Sequence, residues 1–130
     1  MTGNEVINKY SSLALAYIGD AHYALVVKEF VINKEEKIDR IQKLTNRYVS
    51  AKAQAAIMAE LLNSDILTEE EIEVYKRGRN AHMHRPPKNT DVVTYHMSTG
   101  FEALWGYLYL VENGGKLEQI WNKIRTFIGD

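Results

Sequence analysis

The chain contains only two prolines, Pro86 and Pro87, and they stand side by side. Proline interrupts both the interior of a helix and the hydrogen-bond ladder of a sheet, so the residues before this pair can form uninterrupted helices. Apolar residues recur at helical spacings along most of the chain, and no segment shows sustained alternation of apolar and polar residues. The sequence therefore predicts an all-α fold, a compact helical bundle.

Individual helices are predicted from apolar periodicity and from signals at their ends. Residues 12 to 31 form an apolar stretch that predicts a nearly buried helix. Thr68 and Glu71 match a capping box, which predicts that a helix begins after Thr68. This helix is expected to run to about Asn80. The other predicted elements are helices over 34–45 and 46–62, a loop over 81–90, a long helix capped by Thr90 or Asp91 that ends at 113–115, and a last helix whose core stripe is Leu117, Ile120, Trp121, Ile124, Phe127 and Ile128.

Length and composition narrow the class of protein. With 130 residues the chain has the size of one domain, predicted to span residues 1–130. Its 45% hydrophobic and 25% charged residues are ordinary globular values, which exclude a disordered chain. No apolar run approaches the roughly 20 residues that cross a bilayer, so no membrane association is expected. The absence of cysteine excludes disulfides and thiolate metal sites, and it agrees with a cytoplasmic location.

Asp20 is the residue that the helical pattern explains least. It follows Gly19 inside an apolar helix, and glycine costs a helix about 1 kcal/mol relative to alanine. A carboxylate in such a place needs a partner or a cation, or lies in a cleft. Two interpretations are equally consistent with the residues: Asp20 caps a neighbouring helix or pairs with an arginine, or it binds a metal ion.

Glu102 is a second carboxylate within an apolar helix. Gly100 and Gly106 lie close by in the sequence and could let another backbone or a ligand approach closely. If Asp20 and Glu102 meet, they could share Mg²⁺, which prefers a few carboxylate oxygens and keeps its waters. The alternative is that Glu102 pairs with a cation such as Arg47 or Arg79. The separation of the two acids in the sequence does not decide between these alternatives.

A local excess of positive charge lies at residues 76–88. The net charge is −1 and the pI about 6.4, whereas proteins that bind nucleic acid usually carry excess positive charge. Any RNA contact must therefore come from a cluster, and this segment holds five cations and no acid; the alternative is an ordinary solvated loop. His82 and His84 in the same segment give only a weak indication of zinc, and His22 and His96 favour structural roles.

Two stretches of the chain resemble the signature motifs of ribonuclease III. Residues 13–21 (LALAYIGDA) are similar to the pattern Glu-Arg-Leu-Glu-Phe-Leu-Gly-Asp-Ala, and residues 99–109 (TGFEALWGYLY) to Asp-x-x-Glu-Ala-Leu-x-Gly. Residues 48–52 and 77–80 are also similar to the family. The resemblance covers nearly the whole chain in the right order. It is strongest to the Mini-ribonuclease III branch, which has the catalytic domain without a double-stranded-RNA-binding domain.

The resemblance implies a ribonuclease III-like endonuclease fold and an active site. Asp20 and Glu102 would be catalytic and would hold Mg²⁺, or Mn²⁺ in its place, for hydrolysis of an RNA phosphodiester that leaves 5′-phosphate and 3′-hydroxyl ends. The chain departs from the family at Leu13, Ala16 and Thr99, where acids are expected. Asp20 and Glu102 are the acids that remain of this set, so we expect weaker metal binding and a contribution from RNA phosphates.

The resemblance also implies partners. The substrate would be double-stranded RNA, recognised mainly by shape, and a homodimer would present one site to each strand. The branch matures precursors of large-subunit (23S) ribosomal RNA in bacteria, and a ribosomal protein could present the substrate. Phosphate contacts are predicted for Lys52, Arg77, Arg79 and Lys88, and a contact with the backbone or a loop-ordering role for Asn80.

The competing interpretation is a catalytically silent ribonuclease III-like domain that only binds RNA or a ribosomal protein. Such a domain is expected to have lost Asp20 or Glu102, and both are present. A purely structural helical module would show no effect of metal ions.

Overall fold

The computed structural model describes residues 1–81, 86, 88–111 and 114–129, and every regular element within them is an α-helix. The predicted all-α fold is confirmed. None of the helices described is both long enough and apolar enough to cross a membrane. In chain order the helices are α1 (Gly3–Lys9), α2 (Ser12–Ile32), α3 (Ile38–Val49), α4 (Ala51–Asn63), α5 (Glu69–Asn80), α6 (Val92–Val111) and α7 (Gly114–Ile128).

Helix α6 forms the centre of the bundle and contacts α1, α2, α4, α5 and α7. Every residue from 100 to 108 is buried except Glu102, which is half-buried. Around this segment, the Tyr23 ring of α2 packs edge-on against Phe101 and Trp105, with each pair of ring centroids 5.0 Å apart. The Tyr23 hydroxyl donates to the carbonyl of Tyr48 at 2.9 Å, so this large core side chain is also satisfied as a donor.

The predicted starts of α2, α5 and α6 are confirmed. In α5 the Thr68 hydroxyl accepts from the Glu71 N–H, and the Glu71 carboxylate accepts from the Thr68 N–H, as a capping box requires. Asp91, rather than Thr90, caps α6, because its carboxylate accepts from the Val93 N–H at 3.0 Å. Helix α5 ends at Asn80, as predicted.

The predicted boundaries of α3 were wrong at both ends. Residues 34–37 are not helical, because the α2 terminus closes in a turn whose Val31 carbonyl accepts from the Lys34 and Glu35 N–H groups. The break with α4 lies at Ser50, not at residues 45–46. Ser50 has extended backbone, and its hydroxyl accepts from the Ala53 N–H, so it ends α3 and caps α4 at once.

The other end of the chain also differs from expectation. Gly114 and Gly115 begin α7 rather than ending α6, which is described as far as Val111. In the predicted core stripe of α7, Ile120 and Ile124 are buried but Phe127 is 44% exposed. Of the predicted loop, residue 81, residue 86 and residues 88–90 are non-helical, while residues 82–85 and 87 lie outside the described residues.

The apolar sequence of α2 predicted a nearly buried helix, and this prediction was wrong. Tyr17 is 83% exposed, Leu25 54% and Ile32 59%, and Ala21 between them is exposed as well. The helix is apolar on opposite sides, so one side packs on α6 while the other faces solvent. We call Tyr17, Ala21, Leu25 and Ile32 the outer face of α2.

Helices α2 and α6 cross at two glycines, Gly19 and Gly106. A Cβ atom at Gly19 would overlap the carbonyl oxygen of Glu102, and one at Gly106 would overlap the carbonyl oxygen of Leu15. Only glycine lets the two main chains approach this closely. The expectation that a glycine near Glu102 admits another backbone is confirmed, and that backbone is α2.

Replacing Gly19 by alanine is expected to lower the free energy of unfolding by about 3 kcal/mol, because the new methyl group meets rigid main chain. Gly115→Ala is the matched control, since a Cβ there meets nothing within 4 Å. It should change stability by less than about 1 kcal/mol. Urea unfolding of both variants measures the difference, and equal stabilities would contradict a backbone contact at Gly19.

Candidate active site

The crossing of α2 and α6 brings Asp20 and Glu102 together. Asp20 directly follows the glycine at the contact, and the carbonyl of Glu102 is the group that a side chain at position 19 would strike. The two carboxyl groups are within hydrogen-bonding reach of each other. Asp20 is exposed and Glu102 half-buried, so the pair stands where the core opens to solvent. The sequence left open whether these two acids meet, and the structure brings them together.

Burial is the main reason why Glu102 is a weak acid in the folded protein. Loss of hydration, then the hydrogen bond and the negative charge of Asp20, raise the pKa of Glu102 to about 8. A hydrogen bond from Gln54 acts in the opposite direction and lowers the pKa of Glu102. Without a cation, Glu102 therefore holds a proton at neutral pH and can donate it to Asp20 in a hydrogen bond.

The alternative arginine partners of Glu102 are engaged elsewhere. Arg47 donates to the carbonyl of Ile128 at 2.9 Å. The Arg79 guanidinium lies over the Tyr75 ring, 5.6 Å from its centroid. The side chains that act on Glu102 are Asp20 and Gln54, which favours the metal-site interpretation over a structural ion pair.

The donor set fits a hard divalent cation that needs few protein ligands. Across the described residues, no three of the His, Cys, Asp and Glu side chains come together. The positions where the family has further acids supply none: Ala16 is buried, and the Thr99 hydroxyl donates to the Tyr95 carbonyl at 3.1 Å. Mg²⁺ is commonly held by one or two carboxylates together with waters and substrate phosphates, so a pair of carboxylates is sufficient.

Lys52 and Arg77, two of the predicted RNA contacts, line different clefts. Lys52 lines a cleft of about 370 Å³ with Asn89 and Asp91, and Lys88 is exposed in the turn beside it. Arg77 instead faces α1 and the start of α2.

Asn80 and Arg79 contact each other at the end of α5. The Arg79 Nε donates to the Asn80 Oδ1 at 3.2 Å. Asn80 is exposed and Arg79 half-buried, so this amide orients the guanidinium at the surface.

His22 has a structural role, as the sequence favoured. Its Nδ1 accepts from the Trp105 Nε1 at 2.9 Å, and its ring stacks on Tyr109 with centroids 4.1 Å apart. Two residues beyond Asp20, this hydrogen bond joins α2 to α6 a second time. His82 and His84 lie outside the described residues, so the weak zinc suggestion stays a prediction.

Gln54 is the site residue that the sequence reasoning missed. It is 2% exposed on α4 and touches Glu102. A signal was present: Gln54 precedes Ile57, Met58 and Leu61 at the spacing of a core-facing stripe, and all three are buried. A polar residue at a core position of a helix needs a partner, and Gln54 lies beside Glu102 of the carboxylate pair.

Comparison with known proteins gives consistent matches along most of the chain. The profile of the Ribonuclease III domain matches residues 13–113. Proteins named Mini-ribonuclease 3 are 47% identical over 115 residues in Streptococcus pneumoniae, 45% over 121 in Enterococcus faecalis and 39% over 125 in Staphylococcus aureus. These alignments cover 88%, 92% and 95% of this chain, and 90%, 92% and 93% of the relatives.

The fold has a close counterpart among solved structures. A crystal structure of a protein from Fusobacterium nucleatum superposes with a TM-score of 0.83 at 30% sequence identity. The superposition covers 91% of this chain and 95% of that one.

The raised pKa of Glu102 predicts a pH-dependent stability in metal-free buffer. Folding raises the pKa of Glu102 from its ordinary value of 4.5 to about 8. The proton on Glu102 therefore contributes its full share to the free energy of unfolding below pH 4.5, and this share is lost as the pH rises to about 8 and above. Wild-type protein should therefore lose stability relative to Glu102→Gln across this window.

Urea unfolding with chelator, at pH values below, between and above these two, measures the difference. Glu118→Gln removes an exposed carboxylate of α7 and serves as the control. A Glu102→Gln variant with the wild-type pH dependence would contradict the proton held at Glu102.

Proposed function

The chain belongs to the ribonuclease III family and is an endoribonuclease, and we propose that it cuts double-stranded RNA as a homodimer, with Mg²⁺ held by Asp20 and Glu102. The observation that carries the metal site is the meeting of an exposed and a half-buried carboxylate at the glycine crossing of α2 and α6. Mn²⁺, a hard cation of similar preference, would occupy the same oxygens.

When bound, the metal would polarise the phosphate, make hydroxide available from water and stabilise the leaving oxygen, so that the products carry 5′-phosphate and 3′-hydroxyl ends. The chain supplies the anchoring of both carboxylates. Asp20 stands at the solvent edge, and Glu102 would hold the metal as a carboxylate, so its proton would leave when the metal binds. The buried surroundings of Glu102 exclude water from one side of the pair.

Contacts with the RNA backbone are proposed for the basic residues of the sequence prediction. Lys52 and Lys88 lie beside the cleft between α4 and the turn before α6, and Arg77 is exposed on α5. Arg79 and Asn80 form one hydrogen-bonded unit at the end of α5, which suits a phosphate contact through the guanidinium. If these groups contact phosphates rather than bases, recognition would rest mainly on the shape of the duplex.

The homodimer proposal is supported by the outer face of α2. Three large apolar side chains of one helix are more than half exposed there: Tyr17, Leu25 and Ile32. An exposed apolar stripe on a soluble domain commonly marks a protein interface. A two-fold interface through α2 would hold the two copies of Asp20 near the contact, one for each strand of a duplex.

The natural substrate that we propose is the precursor of large-subunit (23S) ribosomal RNA in the bacterial cytoplasm. Support comes from the alignment with bacterial Mini-ribonuclease 3 proteins over most of the chain. A ribosomal protein that presents the substrate belongs to the same proposal. The alternative, a silent domain that binds RNA or a ribosomal protein, is disfavoured by the presence and meeting of both carboxylates.

Asp20→Asn is expected to reduce the rate of duplex cleavage by about a hundredfold or more, because it removes one of two metal-binding carboxylates. The assay incubates wild type and variant with long duplex RNA in Mg²⁺ or in chelator and follows product length and end chemistry. Wild type should cut only with Mg²⁺. An intact duplex with wild type and Mg²⁺, or equal rates for the variant, would contradict the proposed metal site.

Tyr17→Lys is expected to weaken self-association by about 2 kcal/mol or more, since it places a charge in the proposed interface. Sedimentation equilibrium over a range of concentrations measures the effect. Phe127→Lys is the matched control, because Phe127 is also an exposed aromatic residue but lies on α7. A monomeric wild type, or a dimer that tolerates Tyr17→Lys as well as Phe127→Lys, would exclude an interface through the outer face of α2.

A further inference from the structure

We infer that Gln54 is a positioning residue of the catalytic centre: its carboxamide holds the Glu102 carboxylate in the orientation in which it binds the metal ion. This inference rests on the proposed metal-binding role of Glu102. Gln54 carries no charge and lies on α4, a helix to which neither carboxylate belongs. It would act through Glu102 rather than on the RNA.

The burial of Gln54 is the first observation. Its side chain is 2% exposed, and among the described residues only Glu71 and Ser98 are other buried polar side chains. Those two have local explanations. Glu71 closes the capping box of α5 and pairs with Lys116 at 3.2 Å, and Ser98 donates to the Tyr95 carbonyl at 2.8 Å. Gln54 instead reaches across to α6.

The hydrogen bonds of Gln54 fix the orientation of its amide. The Nε2 group donates to the Val49 carbonyl at 3.3 Å. The same amide lies close enough to Glu102 to lower the pKa of its carboxyl, which is the effect of an N–H donor. An amide nitrogen has two N–H donors, which matches two acceptors. The flipped amide would turn its oxygen toward both acceptors, so one orientation is strongly preferred.

The Val49 carbonyl, which accepts from Gln54, is itself held in place, so its hydrogen bond can position the amide. Val49 ends α3 immediately before Ser50, the residue that caps α4. The amide is therefore tied to a rigid corner of main chain on one side and to Glu102 on the other. Side chains that hydrogen-bond a metal ligand typically change metal affinity or activity 10- to 100-fold when they are removed. With only two carboxylates in the centre, the orientation of each one matters more.

The test compares Gln54→Met, which keeps the shape but removes both donors, with Ser98→Ala, which removes another buried polar group of the same bundle. Free Mn²⁺ is followed by electron paramagnetic resonance during titration of each protein without RNA, and the Mg²⁺ dependence of duplex cleavage is measured separately. We expect Gln54→Met to weaken Mn²⁺ binding and to raise the half-saturating Mg²⁺ concentration about tenfold or more. Saturating Mg²⁺ should restore most of the rate.

Ser98→Ala should leave both measurements at the wild-type values. A folded Gln54→Met protein with wild-type Mn²⁺ affinity and Mg²⁺ dependence would overturn the inference. So would a variant whose rate falls at every Mg²⁺ concentration without a change in Mn²⁺ affinity, since that pattern indicates a structural role.

A second measurement needs no substitution at position 54. In wild-type protein, Mg²⁺ should shift the side-chain amide resonances of Gln54 in a nitrogen–proton NMR spectrum and leave those of exposed Gln42 and Gln119 unchanged. An unshifted Gln54 amide at saturating Mg²⁺ would overturn the inference even if Gln54→Met does not fold.

Glu102→Gln distinguishes failure of the role inferred for Gln54 from failure of the proposed metal site. If Glu102→Gln binds Mn²⁺ and cuts RNA like wild type, the proposed metal site fails. If Glu102→Gln loses both while Gln54→Met keeps both, only the role of Gln54 fails.

Discussion

The contact between the main chains of α2 and α6 determines the rest of this structure. Two glycines, Gly19 and Gly106, allow it, and a methyl group at either position would overlap a carbonyl oxygen. The close approach places Asp20 beside Glu102 and leaves the middle of α6 at the centre of the core. Packing and chemistry thus share one contact, because the helices that build the core also carry the two acids.

The electrostatics of the centre follow from that position. Glu102 interrupts a buried run of α6, and loss of hydration together with Asp20 raises its pKa to about 8. An ionised acid is unfavourable there without a counter-ion, so the folded chain favours either a proton or a cation at this point. Gln54 lowers the pKa of Glu102 and so offsets part of the cost of ionising it. Helix α4, which carries Gln54, thereby takes part in the electrostatics of the site.

Much of this arrangement could be predicted from the sequence. The all-α fold, the capping box at Thr68 and the exceptional character of Asp20 and Glu102 follow from local patterns. The exposed outer face of α2 could not be predicted, because an evenly apolar helix does not indicate which side meets the core. The end of α3 depends on Ser50, whose capping role competes with an equally helical sequence on both sides. Gln54 was missed because its partner lies 48 positions away in the chain, at Glu102.

The glycine crossing also constrains how such a protein can diverge. A substitution at Gly19 or Gly106 would disturb the core and the carboxylate pair together, so it would reduce stability as well as activity. Loss of Asp20, which is exposed, leaves the packing of α2 on α6 in place. A descendant that abandons RNA cleavage for binding alone should therefore change its acids and keep its glycines, so the retained glycines would record its origin as a nuclease.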